Sequence, residues 1–596
     1  MRLPPSTALL CALLALAPVL TACGGEAGVA YRFAPPVLAE AGDGFLLATV
    51  EACASHALPG QPIMPARTAR ILLPPDAVVR GVSAELAAPE VRIALAAPLA
   101  FGRTPVPMSG PLAADPPEDA PDPAIYASDT PHPASRAQLV SVQRLHGCAI
   151  AIVRVFPAQY FPTESQLAFC PSIRVSVVYD QPVPVKAPAV AAAAAAEPFA
   201  PQRLERVRAF VDNPDALAAY APAAVSPTAR LAAADEPGAT PEFDYLLVTR
   251  AALTNAFQRL VDHKVAAGLA VKVATMENIL ATFPGVDDAA KLRACISDAY
   301  ETWGVSYVLL GGDVSTVPYR GAYARTSGET DTTMPCDLYF ACLDGSWNAD
   351  GDALWGEPND GEDGGDVDLL AEVYVGRAPV ETPAEVTNFV AKTIAYADNR
   401  HANVDDALLQ GEYLGLYNGI AAQGGDGLDP LLPSLSRHYV SWLDDRPQAK
   451  KTWYANDAVA ALNAAPHLVG HNGHGNYVSA MGMGNADVAR LVNPHPFLAY
   501  STACQSGEFD KSDCFAEELV KRPVHGAVAV VMNSNLGWFS PLNEAQYSGQ
   551  FMASFFDQLL VSGDPSIGAA HQRAKHDRIG WVETSGSYMT YRWCYF

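Results

Sequence analysis

Two short segments carry residues suited to covalent catalysis: His471-Asn472-Gly473-His474-Gly475 and Ser501-Thr502-Ala503-Cys504-Gln505-Ser506-Gly507. A thiol attacks a carbonyl as its thiolate, and an imidazole that takes its proton leaves a stabilising positive charge beside it. His474 as general base and Cys504 as nucleophile meet that need. The glycines add a second requirement of acyl transfer: a tight turn exposes backbone N–H groups, and an oxyanion needs such donors aimed at it. The Gly475 and Cys504 N–H groups are the candidates. The rival chemistry is zinc binding by His471, His474 and Cys504, because imidazole and thiolate are good zinc ligands.

These segments must be held at one place by the elements before them. Leu468-Val469-Gly470 and Phe497 to Cys504 read as buried strands, as do Leu408 to Glu412 and Gly526 to Ser534. Upstream, Asp244-Tyr245-Leu246-Leu247-Val248-Thr249 is a strand, Thr254 to Gly268 a helix with a glycine stop, and Leu269 to Thr275 a strand. A helix over Asp288 to Trp303 then precedes the strand Tyr307-Val308-Leu309-Leu310-Gly311-Gly312-Asp313. Strands alternating with helices predict a mainly parallel α/β sheet, whose functional groups gather at the carboxyl ends of strands.

In more than the catalytic pair, the chain from about Asp244 to its end resembles the gingipain-type cysteine peptidases. The marks are the Asp244–Thr249 strand, Lys264-Val265-Ala266-Ala267-Gly268, Tyr307 to Asp313, Tyr374-Val375-Gly376-Arg377, and Cys514-Phe515-Ala516-Glu517 after the cysteine. The resemblance implies a caspase-like fold with a mainly parallel sheet flanked by helices, a Cys-His mechanism through a thioester, and no organic cofactor. It places an acidic residue where Glu412 stands, to accept the second N–H of the histidine and fix its tautomer. It also assigns the loop Asn533-Ser534-Asn535-Leu536-Gly537-Trp538-Phe539-Ser540-Pro541, with Trp538 as the residue carried over, to a wall of the pocket for the side chain before the scissile bond. Members that cut after Arg or Lys need a carboxylate at the pocket floor, and Asp426, Asp429 and Glu544 are the nearby options.

Asp344-Gly345-Ser346-Trp347-Asn348-Ala349-Asp350-Gly351-Asp352, followed by Glu357, Asp360, Glu362, Asp363, Asp366 and Asp368, concentrates hard oxygen ligands in a glycine-rich loop. Asp344, Asn348, Asp350, Asp352 and Glu357 are expected to hold a structural calcium ion, an expectation strengthened by calcium sites in the resembling family.

At 596 residues and 50% hydrophobic the chain can build several cores, so two or three domains are expected. From about residue 24 to 185, short proline-punctuated runs such as Ala149 to Phe156 and Ile173 to Tyr179 predict a β-rich N-terminal domain. An Ala/Pro-rich linker follows over 186–242, then the peptidase domain over 243–596. The N-terminal domain is expected to be an inhibitory prodomain, with Arg203, Arg206, Arg208 and Arg230 as processing sites. The family continues past Tyr591-Arg592-Trp593-Cys594-Tyr595-Phe596, so a truncated C-terminus is expected.

A net charge of −25 with no Lys/Arg block excludes an electrostatic footprint for nucleic acid. Protein or peptide substrates are the expected partners. The N-terminus has an apolar stretch from Ala8 to Leu20 ending in Leu20-Thr21-Ala22-Cys23-Gly24, which resembles a bacterial lipobox. Cleavage before Cys23 (signal peptide 1–22) and lipidation of its thiol would anchor an exported chain to the cell envelope, with Gly24 favouring the outer membrane. No later stretch reaches about 18 uninterrupted apolar residues. Of eleven cysteines, removing Cys11 and Cys23 leaves nine; an odd number leaves at least one free thiol, and Cys148–Cys170 and Cys336–Cys342 are the nearest pairings. Two further functions fit the same residues: a sortase-like transpeptidase, because an amine can open a thioester, and a non-catalytic surface scaffold.

Overall fold

The computed structural model describes residues 23–42, 44–109, 119–181, 200–220, 242–361, 365–398, 403–417, 420–541, 543–562 and 566–596. The signal-peptide stretch and the lipidation expected at Cys23 lie outside the described side chains.

The N-terminal region is antiparallel β-structure. One sheet orders Cys23–Arg32, Ser172–Gln181 and Val78–Leu86, with Ser172–Gln181 in the centre; another orders Ala54–His56, Met64–Leu72, Cys148–Val155 and Ala137–Leu145. Every residue of Cys148–Val155 is buried because the strand has a core on each face. Alternation sends Cys148, Ile150 and Ile152 into the core shared with the C-terminal region, and Ala149, Ala151, Val153 and Val155 into a separate N-terminal one. The shared core joins Ile150 and Ile152 to Leu246, Trp347 and Trp581, so the two regions are packed together. Arg154 adds a hydrogen bond from Nη2 to the Gly580 carbonyl at 2.8 Å.

Part of the expected linker is folded. Ala200–Phe210 is a helix, and just beyond it Asp212 accepts from the Arg70 N–H and the Tyr31 hydroxyl, both at 2.8 Å. Arg203 and Arg206 donate to the Tyr300 and Glu372 carbonyls, so two expected processing sites are engaged in tertiary contacts. Arg208 pairs with Glu205 on the same helix, and Arg230 lies outside the described residues.

The expected parallel sheet occurs twice. Val271–Thr275, Tyr245–Thr249, Tyr307–Gly311 and Tyr374–Ala378 form a four-stranded sheet in that order, all parallel. Tyr439–Asp444, Asp406–Gly411, Leu468–Asn472, Phe497–Ser501 and Ala527–Met532 form a five-stranded one, again all parallel. Helices start and stop where the sequence signals it: Asp287 accepts from the Ala290 N–H to cap Asp288–Trp303, and Gly304 ends that helix at φ 76°. In the five-stranded sheet, alternation puts Leu408, Val469 and Ala499 on one face against Val459 and Leu519. Leu409, Leu468 and Leu498 pack on the other against Phe555 and Phe556. Burial on both faces explains why these strands are continuous apolar runs. Between the two sheets lies a cavity of about 620 Å³, and neither His474 nor Cys504 lines it.

All nine described cysteines outside position 23 are free thiols. The expected Cys148–Cys170 pairing is not formed because the two are packed in different cores, and Cys336 and Cys342 are each buried unpaired. Among the described residues no helix is long and apolar enough to cross a membrane.

Candidate active site

Three neighbouring strands deliver the expected catalytic residues. Asp406–Gly411, Leu468–Asn472 and Phe497–Ser501 are adjacent and parallel, so Glu412, His474 and Cys504 emerge together beyond their carboxyl ends. The last two strands are registered His471 to Ser501, and the His471 Nδ1 lies 2.8 Å from the Ser501 hydroxyl.

The turn after Ser501 is held from several sides. Asn533 donates its side-chain amide to the Thr502 and Ala503 carbonyls at 2.7 and 3.2 Å, and the Gln505 N–H donates to Asn535 at 2.7 Å. Gln505 takes the left-handed region, φ 55°, so the chain reverses immediately after the nucleophile. The Gly537 N–H points at Cys504 Sγ from 3.2 Å. Gly537 could not be another residue, because a Cβ there would sit 1.9 Å from the Thr502 carbonyl oxygen.

Glu412 is buried and stands where expected, with a different task. Its Oε2 accepts from the backbone N–H of His474 at 3.2 Å, and its Oε1 lies 3.6 Å from His471 Nε2. The His474 ring hydrogen-bonds instead with the Met108 and Leu414 carbonyls. Glu412 therefore fixes the loop that carries His474 and places a negative charge beside the ring, while a carbonyl orients it. The reason is geometric: His471, still in the strand, intercepts the carboxylate. His471 is thus committed to Ser501 and Glu412, and no zinc grouping of His471, His474 and Cys504 forms among the described residues.

Burial by itself would raise the Glu412 carboxyl, but neighbouring His471, 3.6 Å away, with Lys451 and His474, holds it below its ordinary range. A carboxylate held low stabilises the fold above its unfolded-state pKa and loses that contribution as pH falls through its folded value. Glu412→Gln is therefore expected to flatten the fall of Tm with pH below about pH 4.5. Parallel acid limbs for variant and wild type, measured by calorimetry, would refute this.

Burial also lowers the His474 pKa, opposed by the Glu412 charge, and raises that of the Cys504 thiol, opposed by the Gly537 and Met108 N–H groups. The pair in this state is a neutral imidazole and a thiol. What buries them is the chain's own N-terminal region. Val106-Pro107 runs antiparallel to Trp538-Phe539, with Val106 opposite Phe539 and Pro107 opposite Trp538. The Met108 N–H donates to the Gly537 carbonyl at 2.9 Å, and the Met108 carbonyl accepts from the Gly475 N–H at 3.1 Å. The donor expected for an oxyanion thus already holds a carbonyl oxygen. The Met108 side chain meets Thr502, whose hydroxyl oxygen lies 3.3 Å from the sulfur and 3.1 Å from the Asn472 side-chain oxygen. Val106, Met108, Leu414, Tyr417, Ala422, Phe539 and Cys504 form one buried cluster.

A thiol and an imidazole thus stand at adjacent strand ends, with backbone N–H groups engaged by a peptide segment between them. Peptidase family C25 aligns over residues 239–596. The chain belongs to that family. It is a cysteine peptidase. Among solved structures it is similar to the Arg-specific cysteine proteinase gingipain R (RgpB), at 17% identity over 59% of this chain and 77% of that one, TM-score 0.43. It is also similar to the complex of RgpB pro- and mature domains from Porphyromonas gingivalis, at 17% identity over 58% and 77%, TM-score 0.42. Dimeric latent PorU from the same organism aligns at 16% identity over 66% and 39%, TM-score 0.19. No curated protein matches the chain.

In this C25 peptidase the residue carried over as a pocket wall is turned the other way. Trp538 is buried edge-to-face against Trp593, centroids 5.8 Å apart, and its neighbour Phe539 faces Met108 instead. Successive strand residues point to opposite faces, so a one-residue difference decides which ring lines the cleft. The candidate pocket carboxylates Asp426 and Asp429 bind Arg446 at 3.3 and 2.9 Å. Glu544 is buried and itself partnered, its charge reaching Tyr417.

The expected calcium set divides into two. Asp350, Asp352 and Glu357 converge near the surface, whereas Asp344 converges with Asp368 and Glu372 in the interior. Asn348 donates its amide nitrogen to the Asp352 carbonyl at 3.0 Å and its N–H to Asp366 at 3.1 Å, and its Oδ1 is buried without a hydrogen-bond partner. Sequence reading missed Met108 and Leu414 as parts of the site, and it gave Gly537 and Phe539 no role of their own within the loop it named. For Met108 the local signal is Pro105-Val106-Pro107 just before it, where Pro107 biases Val106 to extended backbone.

Proposed function

We propose that the peptidase is an endopeptidase held latent by its N-terminal domain. The observation that carries this reading is Met108: its N–H on the Gly537 carbonyl and its carbonyl on the Gly475 N–H are the bonds a substrate residue before the scissile bond would make. Once that segment leaves, a substrate strand takes its place along Trp538-Phe539. His474 accepts the Cys504 proton, and the thiolate attacks the carbonyl carbon. The resulting oxyanion sits on the Gly475 N–H. The C–N bond breaks as His474 returns the proton to the leaving amine, and water then opens the thioester with His474 as base.

The test incubates the full chain, before and after limited proteolysis, with an unfolded protein substrate, beside Cys504→Ala. Internal fragments appearing after proteolysis, and absent with the variant, support the reading. Full activity of the intact chain would refute latency. Fragments heavier by an added amine would mark transfer instead of hydrolysis.

The leader supports export and anchoring to the cell envelope through a lipid on Cys23. The mass of the mature N-terminus in wild type and Cys23→Ser tests this, and an unmodified Cys23 thiol would end the idea.

Calcium finds its best support at Asp344, Asp368 and Glu372. One oxygen of Asp344 and one of Asp368 are buried without a partner. Glu372 is pushed up to about 8, by burial first and then by the Asp344 charge, which is the strain a divalent cation relieves. A ligand at 100 times its Kd adds about 2.7 kcal/mol to stability. Chelation is therefore expected to lower Tm by several degrees, calcium to restore it, and Asp368→Asn to remove the response. An unchanged Tm on chelation would sink the assignment.

A further inference from the structure

We infer that the specificity pocket of this peptidase takes a long, uncharged side chain, of which methionine is the resident example, and not arginine or lysine. The inference rests on the endopeptidase reading and names its substrate class. Met108 occupies the site as the residue before a scissile bond would, with its carbonyl on Gly475 and its N–H on Gly537. Its side chain therefore lies where the corresponding substrate side chain must lie.

Apolar side chains pack around that side chain, and the charge of buried Glu544 acts on one of them, Tyr417. Leu414, Tyr417, Ala422 and Phe539 supply apolar walls. Thr502, fully buried, lies 3.3 Å from the sulfur with its hydroxyl oxygen, and its single hydroxyl proton is shared among the sulfur, the Asn472 side-chain oxygen at 3.1 Å and the His471 carbonyl at 3.4 Å. A thioether accepts one weak hydrogen bond and asks for no counter-charge. A guanidinium or ammonium at the same depth would have to leave water, and among the described residues the candidate carboxylates are engaged: Asp426 and Asp429 with Arg446, and buried Glu544 in an interaction of its own. Gly537 lies opposite Met108, and its lack of a side chain lets its backbone close on the Thr502 carbonyl.

Two measurements on the full chain test this. In the first, iodoacetamide labelling of Cys504 is followed by peptide mass mapping in wild type, Met108→Leu and Met108→Arg, each checked for native melting. Arginine should be expelled and speed labelling at least about tenfold, while leucine keeps the thiol protected to within about threefold. Equal protection with arginine would overturn the inference. In the second, the proteolytically activated chain digests a mixed peptide library. Cuts after Met and Leu should exceed cuts after Arg and Lys by at least about tenfold in kcat/KM. Cleavage after Arg or Lys that is lost in Glu544→Gln would overturn it in favour of a carboxylate floor. If no peptide is cut although Cys504 labels freely, the endopeptidase reading fails, and the labelling series alone decides the pocket.

Discussion

Cys504→Ala in the activated peptidase is expected to reduce cleavage by at least about 10⁴-fold, the scale on which loss of a nucleophile acts when the rest of the site survives. The expectation is specific to this thiol. Cys504 follows the Phe497–Ser501 strand, has the Gly537 N–H on its sulfur, and shares the Met108 main chain with His474. Cys514, the nearest other cysteine in sequence, is buried at the start of the helix Phe515–Lys521, where burial and the Glu517 charge raise its pKa. Cys514→Ala should therefore retain turnover and change only Tm. Fluorogenic peptide hydrolysis with active-site titration measures both, and activity remaining in Cys504→Ala would discard the assignment of the nucleophile.

Gly475→Ala is expected to lower kcat by about 10²- to 10³-fold, with a smaller change in KM, because it displaces an oxyanion donor without removing either reacting side chain. A Cβ on residue 475 would lie 2.6 Å from the Ser479 carbonyl oxygen and 2.8 Å from the Ala503 Cβ. The loop must then move, and the N–H that holds the Met108 carbonyl moves with it. In the latent chain the same variant should hold Val106–Met108 less firmly and expose Cys504 to alkylation. A variant whose KM alone changes would show that Gly475 shapes binding and not the transition state.

The catalytic strands were legible because their signals are local. Leu468–Asn472 and Phe497–Ser501 are apolar runs buried on both faces, each followed by a turn rich in glycine or small residues. Parallel order then brings both ends to one edge. Glu412 was legible as a position and not as a contact: the strand end fixes where it stands, but whether it meets His471 or His474 depends on how the loop after residue 472 folds back. Trp538 and Phe539 show the same limit in a strand, where one step changes the face and nothing local says which face meets the cleft.

By itself, the sequence determined the apolar alternation of the strands, the caps and stops of helices such as Asp288–Trp303, and the pairing of an imidazole loop with a thiol loop. These depend on dihedral preferences and periodicity within a few residues. Only the tertiary structure decided that Asp344 leaves its own acidic loop for Asp368 and Glu372, that Leu414 orients the catalytic ring, and that Met108 fills the site. Met108 and Thr502 are 394 residues apart, and no pattern near either marks the other. The physical reason is that hydrogen bonds and burial act over ångströms in space without regard to distance along the chain, so occupancy of the cleft is settled only when both regions pack into their shared core.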